Sequence, residues 1–234
     1  IEIIGEPAVG KTHLSLTFPK PFIFDTTPKK EAEIIAYKVL GAEAKNRYRW
    51  IQTWQQLVSG VRETSRRDDV KTIVIDTGTD LQALAVEYEL EAKSRERLLP
   101  FEYGRIREVI DTDITETIIN SNKNLVLTAQ MDDEYINGQK TGYRVPKGYK
   151  RAAFQSDIRI LLVIGSCSVE IMPGATSFKV IPKTGEDNVR KAIIIKNRFI
   201  DMSENPIQVL KGNITAQDIK NLIPKELVSL VWTE

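Results

Sequence analysis

Apolar positions in this chain follow two rhythms that take turns. Short, mostly apolar runs occupy 1–4, 22–25, 48–51, 72–76, 125–129, 158–164 and 192–196. Runs of that length, rich in Ile and Val, predict buried β-strands. Between the early runs lie segments with helical spacing, at 12–18 (stopped by Pro19), 31–40 (ending at Gly41), 54–66 and 103–120. Thr53 and Gln56 form a capping-box pattern at the start of the third helix. A further helix is capped by Thr79 or Asp80, with Leu81, Leu84, Ala85 and Tyr88 on one face. Residues 66–69 and 91–97 are mostly charged and are expected to be solvated.

After residue 130 the rhythm changes. Residues 134–136 and the stretch from 139 flank Asn137-Gly138, which predicts a hairpin or flap. Residues 177–181 are expected to pair with the strand at 158–164 or the one at 192–196. Strands alternating with helices over the first 130 residues imply an α/β fold, with a mainly parallel central sheet flanked by helices. The later cluster of strands implies antiparallel additions at one edge. Residues 1–205 are assigned to the core, and residues 206–234 to a small C-terminal tail packing on it, with a capped short helix at 215–222.

The first strand runs into Gly5-Glu6-Pro7-Ala8-Val9-Gly10-Lys11-Thr12, which fits the phosphate-loop pattern GxxxxGK[ST] between a strand and a helix. The glycines let the chain curl so that successive N–H groups face phosphate oxygens. Lys11 supplies a cation to the β- and γ-phosphates, and the Thr12 hydroxyl is a ligand for Mg²⁺. His13 follows directly and either contacts the nucleotide or packs on the helix. The expected cofactors are ATP and Mg²⁺.

Composition narrows the choices. The 33 Lys and Arg nearly balance the 32 Asp and Glu, so a nucleic-acid surface has to be a local patch. A single cysteine, Cys167, excludes an internal disulfide and suggests a reducing compartment, and a single histidine argues against a zinc site. No apolar run approaches a membrane span, and no signal peptide is visible. A cytoplasmic location is expected, and the absence of Met at residue 1 suggests that residues precede it.

Asp76 ends the most apolar strand of the chain and is the expected partner of Thr12 around Mg²⁺, the alternative being a simple helix cap. Gln130 ends the next strand and is placed to sense the γ-phosphate and move the flap behind it, or else only to bond a loop. The stretch 139–151 carries Lys140, Arg144, Lys147, Lys150 and Arg151 with Tyr143 and Tyr149 interleaved, and no acid. Cations for phosphates with rings for bases suit single-stranded DNA, although such a stretch also suits a solvated loop. Phe101, Tyr103, Arg105 and Arg107 either add a second contact or pack in the core.

The order GEPAVGKT, FIFDTT, TIVIDT, NLVLTAQ, AIIIKNR resembles the RecA/RadA/DnaB-type P-loop NTPase core over about residues 1–200. Within it, the chain is most similar to compact phage and archaeal-virus nucleotide-binding proteins related to single-strand annealing recombinases. The resemblance implies an ATP-hydrolysing, DNA-binding protein of recombination, annealing or repair, working in the cytoplasm, or the host cytoplasm if viral. It also implies a homo-oligomer, a hexameric or heptameric ring or a filament, in which Arg198, with Lys196, reaches the neighbour's site as a finger in trans. A basic strand end on the surface is the simpler reading of the same two residues. The pattern departs from the family at Thr27, where a catalytic glutamate is expected. Asp25 or Glu31 then stands in as base, or hydrolysis is slow. A ring-shaped helicase and an assembly module without a DNA role are the competing readings.

Overall fold

The computed structural model describes residues 1–165, 167–172, 177–182, 189–199 and 208–233. Its first half alternates as expected: β1 (Glu2–Gly5), α1 (Lys11–Ser15), β2 (Pro21–Asp25), α2 (Glu33–Leu40), α3 (Ala44–Arg47), β3 (Tyr48–Trp50), α4 (Trp54–Ser65), β4 (Thr72–Asp76) and α5 (Gly78–Lys93). Next come α6 (Tyr103–Ile110), a π-helical turn at Asp111–Glu116, α7 (Thr117–Asn120) and β5 (Asn124–Ala129). The second half is mostly strand: β6 (Met131–Ile136), β7 (Gln139–Pro146), α8 (Ala152–Gln155), β8 (Ile158–Ile164), β9 (Cys167–Ile171), β10 (Phe178–Pro182), β11 (Arg190–Asn197) and β12 (Gln208–Lys211). Helices α9 (Ala216–Lys220) and α10 (Lys225–Val231) follow.

Eight strands form the main sheet in the order β12-β11-β8-β1-β5-β4-β2-β3. The six from β8 to β3 are parallel, and β11 and β12 add antiparallel pairings at one edge. The molecule is therefore mixed α/β, with a mostly parallel sheet flanked by helices and an antiparallel edge. Its two faces are covered by separate apolar layers. Leu14, Phe18, Ala36, Ile219 and Trp232 meet Ile3, Ile23 and Ile160 on one side. On the other, Leu57, Val61, Leu81, Ile106 and Ile110 meet Phe24, Ile73 and Ile75. Parallel strands covered on both faces read as unbroken apolar runs, which is why they were visible in the sequence. The final segment joins the first layer, where Trp232 stacks on Phe18 with ring centroids 5.2 Å apart.

Three elements differ from expectation. The hairpin turns at Asn137 and Gly138, both left-handed at φ 53° and 79°, but it belongs to a separate four-stranded antiparallel sheet, β6-β7-β10-β9. The strand at 178–182 pairs with β9 and β7 in that sheet and with neither strand of the main one. Its partner β9, CSVEI, alternates too weakly to stand out in the sequence. Finally, α5 is capped two to three residues earlier than expected, by Thr77, whose Oγ1 accepts the Asp80 N–H at 3.2 Å.

Among the described residues, no helix is long and apolar enough to cross a membrane.

Candidate nucleotide site

The phosphate loop joins β1 to α1 at the carboxyl ends of the parallel strands, where an open α/β sheet leaves its ligand crevice. Gly5 is packed so closely that a Cβ there would stand 2.7 Å from Val9 Cγ2 and 2.8 Å from the Leu162 carbonyl. Ala8 and Gly10 both take left-handed backbone, at φ 63° and 96°, which curls the chain back on itself before α1. Lys11 is mostly buried, and its ammonium donates to the loop's own carbonyls, Gly5 O at 2.9 Å and Glu6 O at 2.8 Å. Burial pushes its pKa down, against the opposing fields of Asp76, Glu6 and Glu31.

Strand β5 lies between β1 and β4, so the loop and Asp76 are two strands apart, and side chains have to close the gap. They do. The Thr12 hydroxyl donates to Asp76 Oδ2 at 2.5 Å. From β5, the Thr128 hydroxyl donates to the other oxygen, Asp76 Oδ1. Asp76 is 3% exposed, and burial raises its carboxyl pKa, with the two hydroxyl bonds pulling the other way. Thr128 was not singled out in the sequence, because a threonine inside an apolar run looks like an ordinary β-former. Only the register that sets β5 against β4 gives it a partner.

These residues fit a nucleotide with its metal. The loop curls back on itself through the positive-φ residues Ala8 and Gly10, an ammonium stands at its mouth, and one carboxylate and one hydroxyl lie in contact. Mg²⁺ takes one or two such protein ligands and completes its shell from phosphates and water. Thr12 and Asp76 would hold it, and it would supply charge neutralisation between the β- and γ-phosphates. Loop residues Gly5, Glu6, Pro7, Ala8, Val9 and Gly10 line the curl, and His13 sits exposed just beyond it, its pKa lowered mainly by desolvation and then by Arg190.

Asp25 does not fit the expected role of base. Its carboxylate is fully buried and accepts four donors: Thr27 N at 2.9 Å, Thr27 Oγ1 at 2.6 Å, Ala32 N at 3.0 Å and the Tyr48 hydroxyl at 3.0 Å. A carboxylate so saturated holds the 26–32 loop in shape and has no lone pair directed at a water molecule. The Tyr48 phenol is held protonated, chiefly by burial and then by Asp25. Glu31, at the end of that loop, is exposed and close enough to act electrostatically on Lys11.

Gln130 lies between β5 and β6. Its backbone N–H reaches Thr79 Oγ1 at 3.5 Å, and its carbonyl accepts the Lys147 N–H at 2.8 Å. The start of the second sheet is thus tied to the crevice.

The basic stretch 139–151 is not the open loop that was expected. Most of it is β7, and three of its five cations have found acids elsewhere in the chain. Lys140 pairs with Asp133 at 2.8 Å, and Arg144 pairs with Glu6 of the phosphate loop at 2.9 Å and with Asp133 at 3.4 Å. The Tyr149 ring is buried, and its hydroxyl donates to Asp111, which also pairs with Arg151. Burial raises the Tyr149 pKa. Tyr149 and Arg151 therefore anchor the segment to the π-helical turn, with the Tyr149 ring turned into the core and the Arg151 side chain still 47% exposed. Lys147 and Lys150 remain exposed, and Tyr143 half-buried.

Lys196 and Arg198 lie at the opposite end of the sheet from the phosphate loop, Lys196 level with Arg159 and Arg198 just past the strand, its N–H bonded to the Asp157 carbonyl. Lys196 donates to the Ala153 and Phe154 carbonyls at 3.0 and 3.1 Å, closing the end of α8. Arg198 donates to the Phe154 carbonyl at 2.9 Å and pairs with Asp157 at 2.7 Å. Neither can reach the site of its own chain.

No curated protein matches the chain. Residues 1–162 match the family model described as AAA domain, and the chain accordingly belongs to the AAA domain family of P-loop nucleotide-binding ATPases.

Proposed function

We propose that this protein is a Mg²⁺-dependent ATPase that acts as a homo-oligomer on single-stranded DNA, in the manner of the RecA-like recombination and strand-annealing proteins whose motif order it resembles. The observation that carries the ATPase reading is the contact of Thr12 with Asp76 at 2.5 Å beside Lys11. It unites a hydroxyl, a carboxylate and an ammonium drawn from two distant stretches of chain. In this reading Lys11 leaves the loop carbonyls for the β/γ-phosphates. Gln130 and Thr128 report on that end of the crevice, and Glu31 is the carboxylate that orients the attacking water, in place of Asp25. Glu31→Gln is then expected to lower turnover while leaving ATP affinity near the wild-type value.

The DNA role rests on the resemblance and on the exposed pair Lys147 and Lys150 beside Tyr143. Lys196 and Arg198 act in trans, releasing the α8 carbonyls when a neighbouring protomer docks. The pairing of Lys140, Arg144 and Arg151 with Asp133, Glu6 and Asp111 favours a second reading, a nucleotide-dependent assembly module without a DNA role. ATP turnover measured with and without single-stranded DNA decides between them, using wild type, Lys11→Ala and Lys147→Ala/Lys150→Ala. Turnover abolished in the first variant, with DNA stimulation lost in the second, supports the DNA-dependent ATPase. Turnover indifferent to DNA in the wild type supports the assembly module.

A further inference from the structure

Strand β11 carries cations at both ends, and the end missed in the sequence is the one at the phosphate loop. Arg190 opens the strand, level with Ile164 at the carboxyl end of β8. Its guanidinium lies on the bare face of Gly10, where an ideal Cβ would stand 2.6 Å from Cζ and 2.8 and 2.9 Å from the two terminal nitrogens. Any side chain at residue 10 would strike it. A glycine with positive φ in such a loop leaves open the approach by which a phosphate meets the backbone, and Arg190 stands in that approach. Its Nε is buried and, among the described residues, has no hydrogen-bond partner. An unpaired buried donor is costly, and a charged one more so. Its field is also felt at His13, the first residue past the GKT triplet.

We propose that Arg190 is a nucleotide-binding residue acting in cis, its guanidinium taking oxygens of the α- and β-phosphates on the Gly10–His13 side of the loop, opposite the γ-phosphate. The proposal rests on the reading of residues 5–12 as a nucleotide site and adds to it a second cation, supplied by the antiparallel edge of the sheet. A planar guanidinium suits this position because it can give two N–H donors to two oxygens and still present Nε, which an ammonium cannot. It also gives β11 a role in the chain's own site that Lys196 and Arg198, at the far end of the same strand, cannot have.

The test is calorimetric titration with ADP and with ATP, without Mg²⁺, on wild type and on Arg190→Ala, Arg190→Lys and Lys11→Ala. Unfolding midpoints of the nucleotide-free proteins are measured alongside. Arg190→Ala is expected to weaken ADP and ATP alike, by roughly tenfold or more, and Arg190→Lys to recover part of that loss. ADP binding unchanged in Arg190→Ala, or a loss confined to ATP, overturns the proposal. Should Arg190→Ala not fold, Arg190→Gln, which keeps the packed stem, carries the same comparison. Wild-type affinity in Lys11→Ala would instead overturn the reading of residues 5–12, so the two failures are separable.

Discussion

Asp25 and Asp76 occupy the same position on neighbouring strands. Each is the last residue of a buried parallel strand, each is almost wholly buried, and the register sets them side by side. Their surroundings give them opposite work. Around Asp25 the chain turns inward, and backbone N–H groups from Thr27 and Ala32 join two hydroxyls to fill the carboxylate. Around Asp76 no backbone donor closes in among the described residues, and the partners there are the hydroxyls of Thr12 and Thr128. A hydroxyl can rotate and accept as well as donate, so Asp76 can exchange a partner for a metal ion, whereas Asp25 cannot without undoing a loop. Position at a strand end is thus not what makes an acid functional. The mobility of its donors decides.

The largest effect that would expose this difference is on turnover. Asp76→Ala removes the carboxylate that steadies the metal and is expected to cut ATP hydrolysis by about a thousandfold, a barrier of about 4 kcal/mol. Its unfolding midpoint should stay close to that of the wild type, since burial already disfavours the charge. Asp25→Ala is expected to do the reverse. It strands buried donors and should cost about 3 kcal/mol of stability in a denaturant titration, while the folded fraction still binds nucleotide through Lys11. Wild-type stability in Asp25→Ala, combined with lost turnover, would restore Asp25 as the base.

A smaller effect is expected at Thr128. Removing its hydroxyl in Thr128→Val takes away a bond that favours the carboxylate, so the Asp76 pKa rises further and Mg²⁺-dependent nucleotide affinity falls by roughly tenfold. The pH dependence follows from the direction of the shift. Because the folded pKa of Asp76 is raised, the stabilisation contributed by its neutral form is present at low pH and is lost as pH rises through that value. Metal binding needs the ionised form, so Mg²⁺-dependent affinity falls as pH is lowered through the same range. In Thr128→Val that fall should begin at a higher pH than in wild type, as read from titrations across pH.

The same contrast explains what could be read from the sequence. The phosphate loop is contiguous, and the parallel strands announce themselves as unbroken apolar runs, so β1, β2, β4 and β5 and the acid at the end of β4 were legible. Partners brought together by folding were not. Residues 139–151 contain no acid, yet Arg144 meets Glu6, and Tyr149 and Arg151 meet Asp111, across separations that no local pattern records. A stretch that reads as a free basic loop is mostly neutralised by acids that a folded sheet and a π-helical turn deliver to it. Thr128 and Arg190 were missed for the same reason. Each is ordinary in its own strand, and its neighbour, Asp76 for Thr128 and Gly10 for Arg190, comes from the strand or loop beside it. The surroundings of Asp25 were not legible either, because the donors that fill it include two backbone N–H groups, which composition cannot display.

The central claim is that Thr12 and Asp76 together hold the metal of a nucleotide seated on Lys11. Its most direct test is the gain in ATP affinity on adding Mg²⁺, measured by titration calorimetry on wild type and on Asp76→Asn. Wild type should bind more tightly with Mg²⁺ than with a chelator, and Asp76→Asn should bind equally in both. An equal gain in the two proteins would place the metal elsewhere and contradict the assignment of Asp76.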